Sequence, residues 1–186
     1  MEKTLKKVIS ILRKDKGTRA YALIGGLAVG GWITPRATKD IDFLVDSFAL
    51  NSSAIENGIL KGLMNSGFEG SLEVGAPQDD IRFCIKAVSE EGIPVDIIFV
   101  GRKWEAEIVK ESLPVEILRG VSIPVVRPEG LIVLKLRAGS FQDIADASKL
   151  LLEAEYDRRK LRNLAKRARV DKRLDRLMEK LNLRQP

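Results

Sequence analysis

One stretch restricts the possible folds more than any other. An apolar run, Tyr21-Ala22-Leu23-Ile24, ends in Gly25-Gly26, and a later run, Asp40-Ile41-Asp42-Phe43-Leu44-Val45, alternates acids with apolar residues. The first reads as a strand and the glycines as a sharp turn after it, since residues without Cβ let the backbone bend and approach its neighbours. The second run also reads as a strand. Residues two apart in a strand point to one side, so Asp40 and Asp42 are expected to share a face. Carboxylates that close repel, and one pKa rises unless a cation sits between them. With only oxygen ligands on offer, the expected cation is Mg²⁺ or Mn²⁺. A salt bridge to Arg36 or Lys39 is the plainer alternative.

Composition narrows the chemistry. There is no histidine and a single cysteine among 186 residues, which excludes Cys/His zinc sites, an internal disulfide and every histidine-dependent triad. Hydrophobic residues at 45% beside 31% charged fit a globular domain rather than a disordered chain. No apolar run is long enough to span a bilayer, and the N-terminus does not read as a secretion signal. A cytoplasmic protein with no membrane attachment is the expectation.

A third acid, Asp96, lies in Ile93-Pro94-Val95-Asp96-Ile97-Ile98-Phe99-Val100. A charge inside an apolar strand is costly unless paired. If this strand adjoins the Asp40–Asp42 strand, three carboxylates converge and can hold two metals about 4 Å apart. Pairing of Asp96 with Arg82 is the alternative. Glu73, Asp79 and Asp80 are weaker candidates because they fall in an expected loop. Gly25-Gly26 can bring a phosphate to backbone N–H groups at a helix start. Neither the Walker pattern nor the dinucleotide fingerprint is present.

The rest of the chain reads as follows. Helical spacing predicts helices over residues 2–14, 27–33, 103–110 and the stretch with Ile55, Ile59, Leu60 and Leu63, the last capped by Ser53 and Glu56. Residues 68–79 read as a loop or weak edge strand, and 81–88 with 93–100 as a hairpin. Short strands are expected at 115–118 and 121–126. Pro128 opens a helix stopped by Gly139; Ser140 and Asp143 cap the next, with Ile144, Leu151 and Leu152 in its stripe. Two more helices follow, one capped by Asp157, the other carrying Leu174, Leu177, Met178 and Leu181. The fold class is thus α+β, a mixed sheet backed by helices. Residues 1–126 form the core with its N-terminal helix, and 127–186 a helical part packed on it. Cys84, Trp32 and Trp104 read as packing residues.

The Gly-Gly turn, Arg36-Ala37-Thr38-Lys39-Asp40-Ile41-Asp42 and the later strand aspartate resemble the nucleotidyltransferase superfamily, nearest to its group related to abortive-infection and toxin–antitoxin toxins. The resemblance runs from about Tyr21 to Leu152. It implies that Gly25 and Gly26 lie under nucleotide phosphates, that Asp40 and Asp42 bind metal, and that Asp96 is a third ligand that helps activate the acceptor hydroxyl. It implies a helical lysine, Lys135, followed by a segment like Gln142-Asp143-Ile144-Ala145-Asp146, where Gln142 departs from the usual basic residue. Arg36 contacts phosphate or neutralises the acids; Thr38 orients the strand or meets the nucleotide; Lys135 reaches the triphosphate or snorkels to solvent. Asp143 is a helix cap, and Asp146 holds Lys135. The implied activity is metal-dependent transfer of a nucleoside monophosphate from an NTP to a hydroxyl, with a cognate antitoxin as an expected partner. The alternative is a non-catalytic nucleotide- or nucleic-acid-binding regulator with the same fold.

Charge separates the two parts. Residues 155–186 carry 12 basic and 5 acidic side chains, +7, whereas the whole chain has 32 and 26, +6. A positive field confined to the C-terminal helices suggests tRNA or another RNA as the acceptor, ahead of a protein hydroxyl and then a small molecule; a solvated helical surface is the plainer alternative.

Overall fold

In the computed structural model, which describes residues 1–183, the strands expected from the apolar runs assemble into one mixed sheet. The chain opens with α1 (Glu2–Lys14), whose buried Leu5, Val8, Ile9 and Leu12 recur at the helical period. β1 (Thr18–Ile24), α2 (Gly25–Gly30) and β2 (Ile41–Ser47) follow. A helical stretch comes next, α3 (Ser52–Ile55), a π-helical turn (Glu56–Leu60) and α4 (Lys61–Met64). Then come β3 (Phe68–Val74), β4 (Phe83–Ser89), β5 (Pro94–Phe99), α5 (Lys103–Lys110), β6 (Leu113–Leu118) and β7 (Val121–Val125). Four helices close the described chain: α6 (Pro128–Ala138), α7 (Phe141–Glu153), α8 (Arg158–Arg167) and α9 (Asp171–Lys180). Among the described residues no helix is long and apolar enough to cross a membrane.

The strand order is β3-β4-β5-β2-β1-β7-β6. β2 sits near the middle, antiparallel to β1 and parallel to β5. Its residues alternate in role. Ile41, Phe43 and Val45 are fully buried, while Asp42 and Leu44 point to the other face. The buried residues of the sheet and of the C-terminal helices belong to one continuous cluster, so α6 to α9 share the core of the strands. α+β, with helices backing a mixed sheet and further helices at the C-terminus, is the architecture found.

Local expectations need four corrections. Residues 68–74 are a full edge strand; its side chains are mostly exposed, which hides the apolar signal. The helix after β2 is capped by Asn51, whose side chain accepts from Ala54 N–H, rather than by Ser53 with Glu56. Helix α2 begins at Gly25, two residues before the expected start, and ends at Gly30. In α7 the buried stripe uses Leu150 and Leu151, leaving Leu152 exposed. Gly139 stops α6 as expected, at φ +73°.

Candidate active site

The carboxylates are brought together by strand register. Asp42 pairs with Asp96 across the parallel β2–β5 ladder, so both side chains lie on the same face. On its other side Asp42 pairs with Ile24, the last residue of β1. Gly25 follows at φ +69°, and a Cβ built there would fall within the Asp42 carboxylate. Only glycine satisfies both demands, the left-handed backbone and the empty space. A Cβ on Gly26 would lie 2.7 Å from Thr38 Oγ1 and 3.1 Å from Arg36 Nη2. The two glycines therefore seat the acidic segment against the start of α2.

Asp40 is placed differently from the expectation that it shares a strand with Asp42. β2 begins at Ile41, and Asp40 stands exposed just before it, its carboxylate accepting from the Thr38 hydroxyl. It still lines the same cleft as Asp42. Asp96 is paired, with Lys86 at 3.3 Å from the facing strand and not with Arg82. Glu73 faces Cys84 across the β3–β4 ladder.

Lys135 enters from α6, its side chain only 13% exposed, with Asp143 at 2.9 Å and Asp146 at 3.0 Å. Asp146 is 1% exposed and carries a bidentate contact from Arg36, Nε at 2.8 Å and Nη2 at 2.9 Å, plus the Gln142 amide at 2.9 Å. Burial pushes the Asp146 carboxyl up, but the Arg36, Lys135 and Gln142 hydrogen bonds outweigh it and hold the group well below the usual range. Desolvation pulls Lys135 down, yet its two carboxylates raise it, so it stays a cation. Asp143 serves as the expected cap, accepting from Ser140 N–H while its own N–H donates to Ser140 Oγ. Gln142 thus works as a neutral donor where a basic residue was the usual expectation.

These groups border a cleft of about 350 Å³ between the sheet and α6. Gly25, Asp40, Asp42, Lys135 and Asp143 form its polar wall; Leu44, Ile98, Leu131 and Leu134 form an apolar one. Asp80, a weaker candidate acid in the sequence, also lines it, as do Glu105 and Arg137, which no motif singles out. Trp32 donates its indole N–H to the Val126 carbonyl and Trp104 is buried, both as packing residues. Burial, then Asp96, pushes the Cys84 thiol up to about 12, leaving it inert.

Asp42 is the electrostatic anomaly. Among the described residues it has no hydrogen-bond or ion-pair partner, and burial, then Asp40, then Asp96, push its carboxyl up to about 7. No three His, Cys, Asp or Glu side chains of the described residues come close enough to enclose a metal ion. The expected triad is therefore not drawn together as a cage, because Asp40 is turned to Thr38 and Asp96 to Lys86. The donor set nevertheless suits a hard divalent cation: oxygen ligands only, and an excess of negative charge centred on Asp42.

Residues 10–186 match the family described as nucleotidyl transferase AbiEii toxin, type IV TA system. A search of curated proteins matches none. Among solved structures, a Thermotoga maritima protein described as a nucleotidyltransferase is similar over 82% of this chain and 92% of its own, with 18% identity and a TM-score of 0.55. The antibiotic-resistance factor ANT(2'')-Ia is similar over 99% of this chain and 100% of its own, with 16% identity and a TM-score of 0.55. At these identities the likeness is one of fold.

Proposed function

The chain belongs to the family of AbiEii nucleotidyltransferase toxins, and from that membership and the cleft we propose that it moves a nucleoside monophosphate from an NTP to a hydroxyl acceptor. The observation that carries the reading is the unpartnered Asp42, seated under Gly25 and in register with Asp96. In-line transfer needs positioning and charge neutralisation rather than a histidine base, which suits a chain without histidine.

Each residue then has a task. Gly25 and Gly26 let the triphosphate approach the start of α2. Lys135 offsets triphosphate charge, its position fixed by Asp143 and Asp146. Arg36 spends its fork on Asp146 and so acts as a positioning residue, and Thr38 orients Asp40. Asp40 and Asp42, with Asp96, would hold Mg²⁺ or Mn²⁺, which when bound neutralises phosphate charge and acidifies the acceptor hydroxyl. The acceptor oxygen bonds to the α-phosphorus as the bond to pyrophosphate breaks, and the hydroxyl proton passes to Asp96.

For the acceptor we favour RNA, on the strength of the basic C-terminal helices. Arg158, Arg159 and Lys166 of α8 are exposed and make no ion pair among the described residues. Residues 184–186 of that segment lie outside the described residues. A cognate antitoxin is the expected protein partner, given the family's type IV system. Calorimetry with each NTP, with and without Mg²⁺ or Mn²⁺, tests the reading. Cation-dependent binding of at least one NTP, lost in Lys135→Met, is expected; no NTP binding with either cation would contradict it.

A further inference from the structure

The tip of the β3–β4 hairpin, residues 75–82, is held by its own hydrogen bonds. Gly75 N–H donates to the Arg82 carbonyl at 2.9 Å, and Ala76 N–H to the Asp79 carboxylate at 2.8 Å. This tip delivers Asp80 and Ile81 to the rim of the cleft. There one oxygen of Asp80 is shared by two guanidinium groups. Arg102 Nη2 lies 2.7 Å from Asp80 Oδ1, and Arg137 Nη2 pairs with the same atom. Arg102 Nη1 also donates to the Asp80 carbonyl at 2.7 Å.

The two arginines differ in how their charge is matched. Arg102 has a second carboxylate, Glu105, at 3.2 Å. Arg137 is 17% exposed, donates to the Ala168 carbonyl at 2.7 Å and lies 5.8 Å from the centre of the Trp104 ring. Asp80 is its one carboxylate partner among the described residues. Arg137 is thus a fixed, partly desolvated cation whose counter-ion rides on a loop and is 63% exposed. The carboxylate end of this pair faces solvent at the cleft rim, so a competing anion can reach Arg137 there. A phosphate group offers more charge and more acceptor oxygens than a carboxylate, and the guanidinium fork matches it. Arg137 also stands two residues beyond Lys135 on α6, at the rim of the same cleft.

We propose that Arg102 and Arg137 form a binding site for a phosphate group at the cleft rim, and that Asp80 fills it until a phosphate-bearing ligand displaces it. The phosphate belongs to the NTP or to the polynucleotide acceptor; for that source, though not for the site itself, the proposal rests on the nucleotidyltransferase reading.

The test is calorimetry on the full chain at low salt, with pyrophosphate, each NTP and a short single-stranded RNA as probes. Asp80→Asn removes the internal competitor and is expected to tighten pyrophosphate binding about two- to fivefold. Arg102→Gln is expected to weaken it by at least as much. In an Arg102→Gln/Arg137→Gln protein, Asp80→Asn should have no further effect. Trp104 emission, beside Arg137, should respond to pyrophosphate in the wild type. Because Arg137 also holds Ala168 and Trp104, Arg102→Gln alone decides the matter if the double variant does not fold. Tightening of an NTP by Asp80→Asn assigns the site to the nucleotide; tightening of RNA alone assigns it to the acceptor. Absent pyrophosphate binding, an Asp80→Asn affinity that is unchanged or weaker, or wild-type binding by Arg102→Gln overturns the proposal. Lys135→Met keeps the two readings apart. NTP binding lost in Lys135→Met, with Asp80→Asn neutral, sinks the arginine site alone. NTP binding indifferent to Lys135→Met, with pyrophosphate tightened by Asp80→Asn, sinks the nucleotide reading alone.

Discussion

Asp42 concentrates the cost of this site in one carboxylate. Burial, Asp40 and Asp96 hold its folded-state pKa near 7, above the ordinary 3.8. The fold therefore favours the protonated form: that stability is complete below about 3.8 and is lost as pH rises through about 7. Asp42→Asn removes the titration. Denaturant unfolding across pH 4 to 8 should show the wild type losing about 1–4 kcal/mol relative to Asp42→Asn. Parallel curves would contradict the raised pKa. Excess Mg²⁺ should return part of the loss at pH 8 in the wild type and not in the variant. Gly25 is the companion position. Gly25→Ala sets a Cβ on the Asp42 carboxylate at φ +69°, and should cost about 1–3 kcal/mol in the same unfolding experiment.

Among the elements, α7 is tied to the acidic segment through one nearly buried carboxylate. Asp146 receives Arg36 from the loop before β2, Lys135 from α6 and Gln142 from its own helix. Asp146→Ala strands Arg36 and leaves Lys135 with Asp143 alone, and should destabilise by about 2–4 kcal/mol, measured by denaturant unfolding at neutral pH. A cost near zero would mean that the pairings are solvent-screened. The carboxyl is held below its ordinary value, so its contribution is present above pH 3.8 and is lost as pH falls below it.

This network also shows how far the sequence could be read. The Ser140–Asp143 cap and the Gly139 stop are local, and spacing along α6 and α7 reveals them; the link from Asp146 to Lys135 crosses the α6–α7 turn and follows the family resemblance instead. Two apolar strands that each carry an acid raise the pairing of β2 with β5 only as a condition, and the sheet register supplies it. The bidentate hold of Arg36 on Asp146 joins segments far apart in the chain, and no periodicity reports it. Asp80 was discounted because loops solvate charge, and its guanidinium partners emerge only when the hairpin tip folds back over α6. β3 was ambiguous because its exposed side chains leave little hydrophobic signal.

At the scale of the whole molecule, the basic side chains of the C-terminal helices divide into those paired within the fold and those that are not. Arg167 makes a two-pronged contact with Glu107, and Lys160 pairs with Glu111, so part of α8 is an electrostatic dock onto α5. Arg173 donates to the Leu136 and Arg137 carbonyls at the end of α6. Composition alone counted all of these as available to RNA. Neutralising exposed Arg158, Arg159 and Lys166 should therefore lower the salt slope of single-stranded RNA binding by about 2. Neutralising Lys160 and Arg167 should instead lower thermal stability. Salt-independent RNA binding would leave the first group as solvated surface.

The most direct test of the central claim is transfer of label from an α-phosphate-labelled NTP to an RNA pool in Mg²⁺, comparing the full chain with Asp42→Asn and Asp40→Asn. The prediction is labelled RNA and released pyrophosphate with the wild type, and no labelled RNA with either variant although both unfold cooperatively. Labelled RNA formed undiminished by the Asp42→Asn/Asp40→Asn protein would contradict the account.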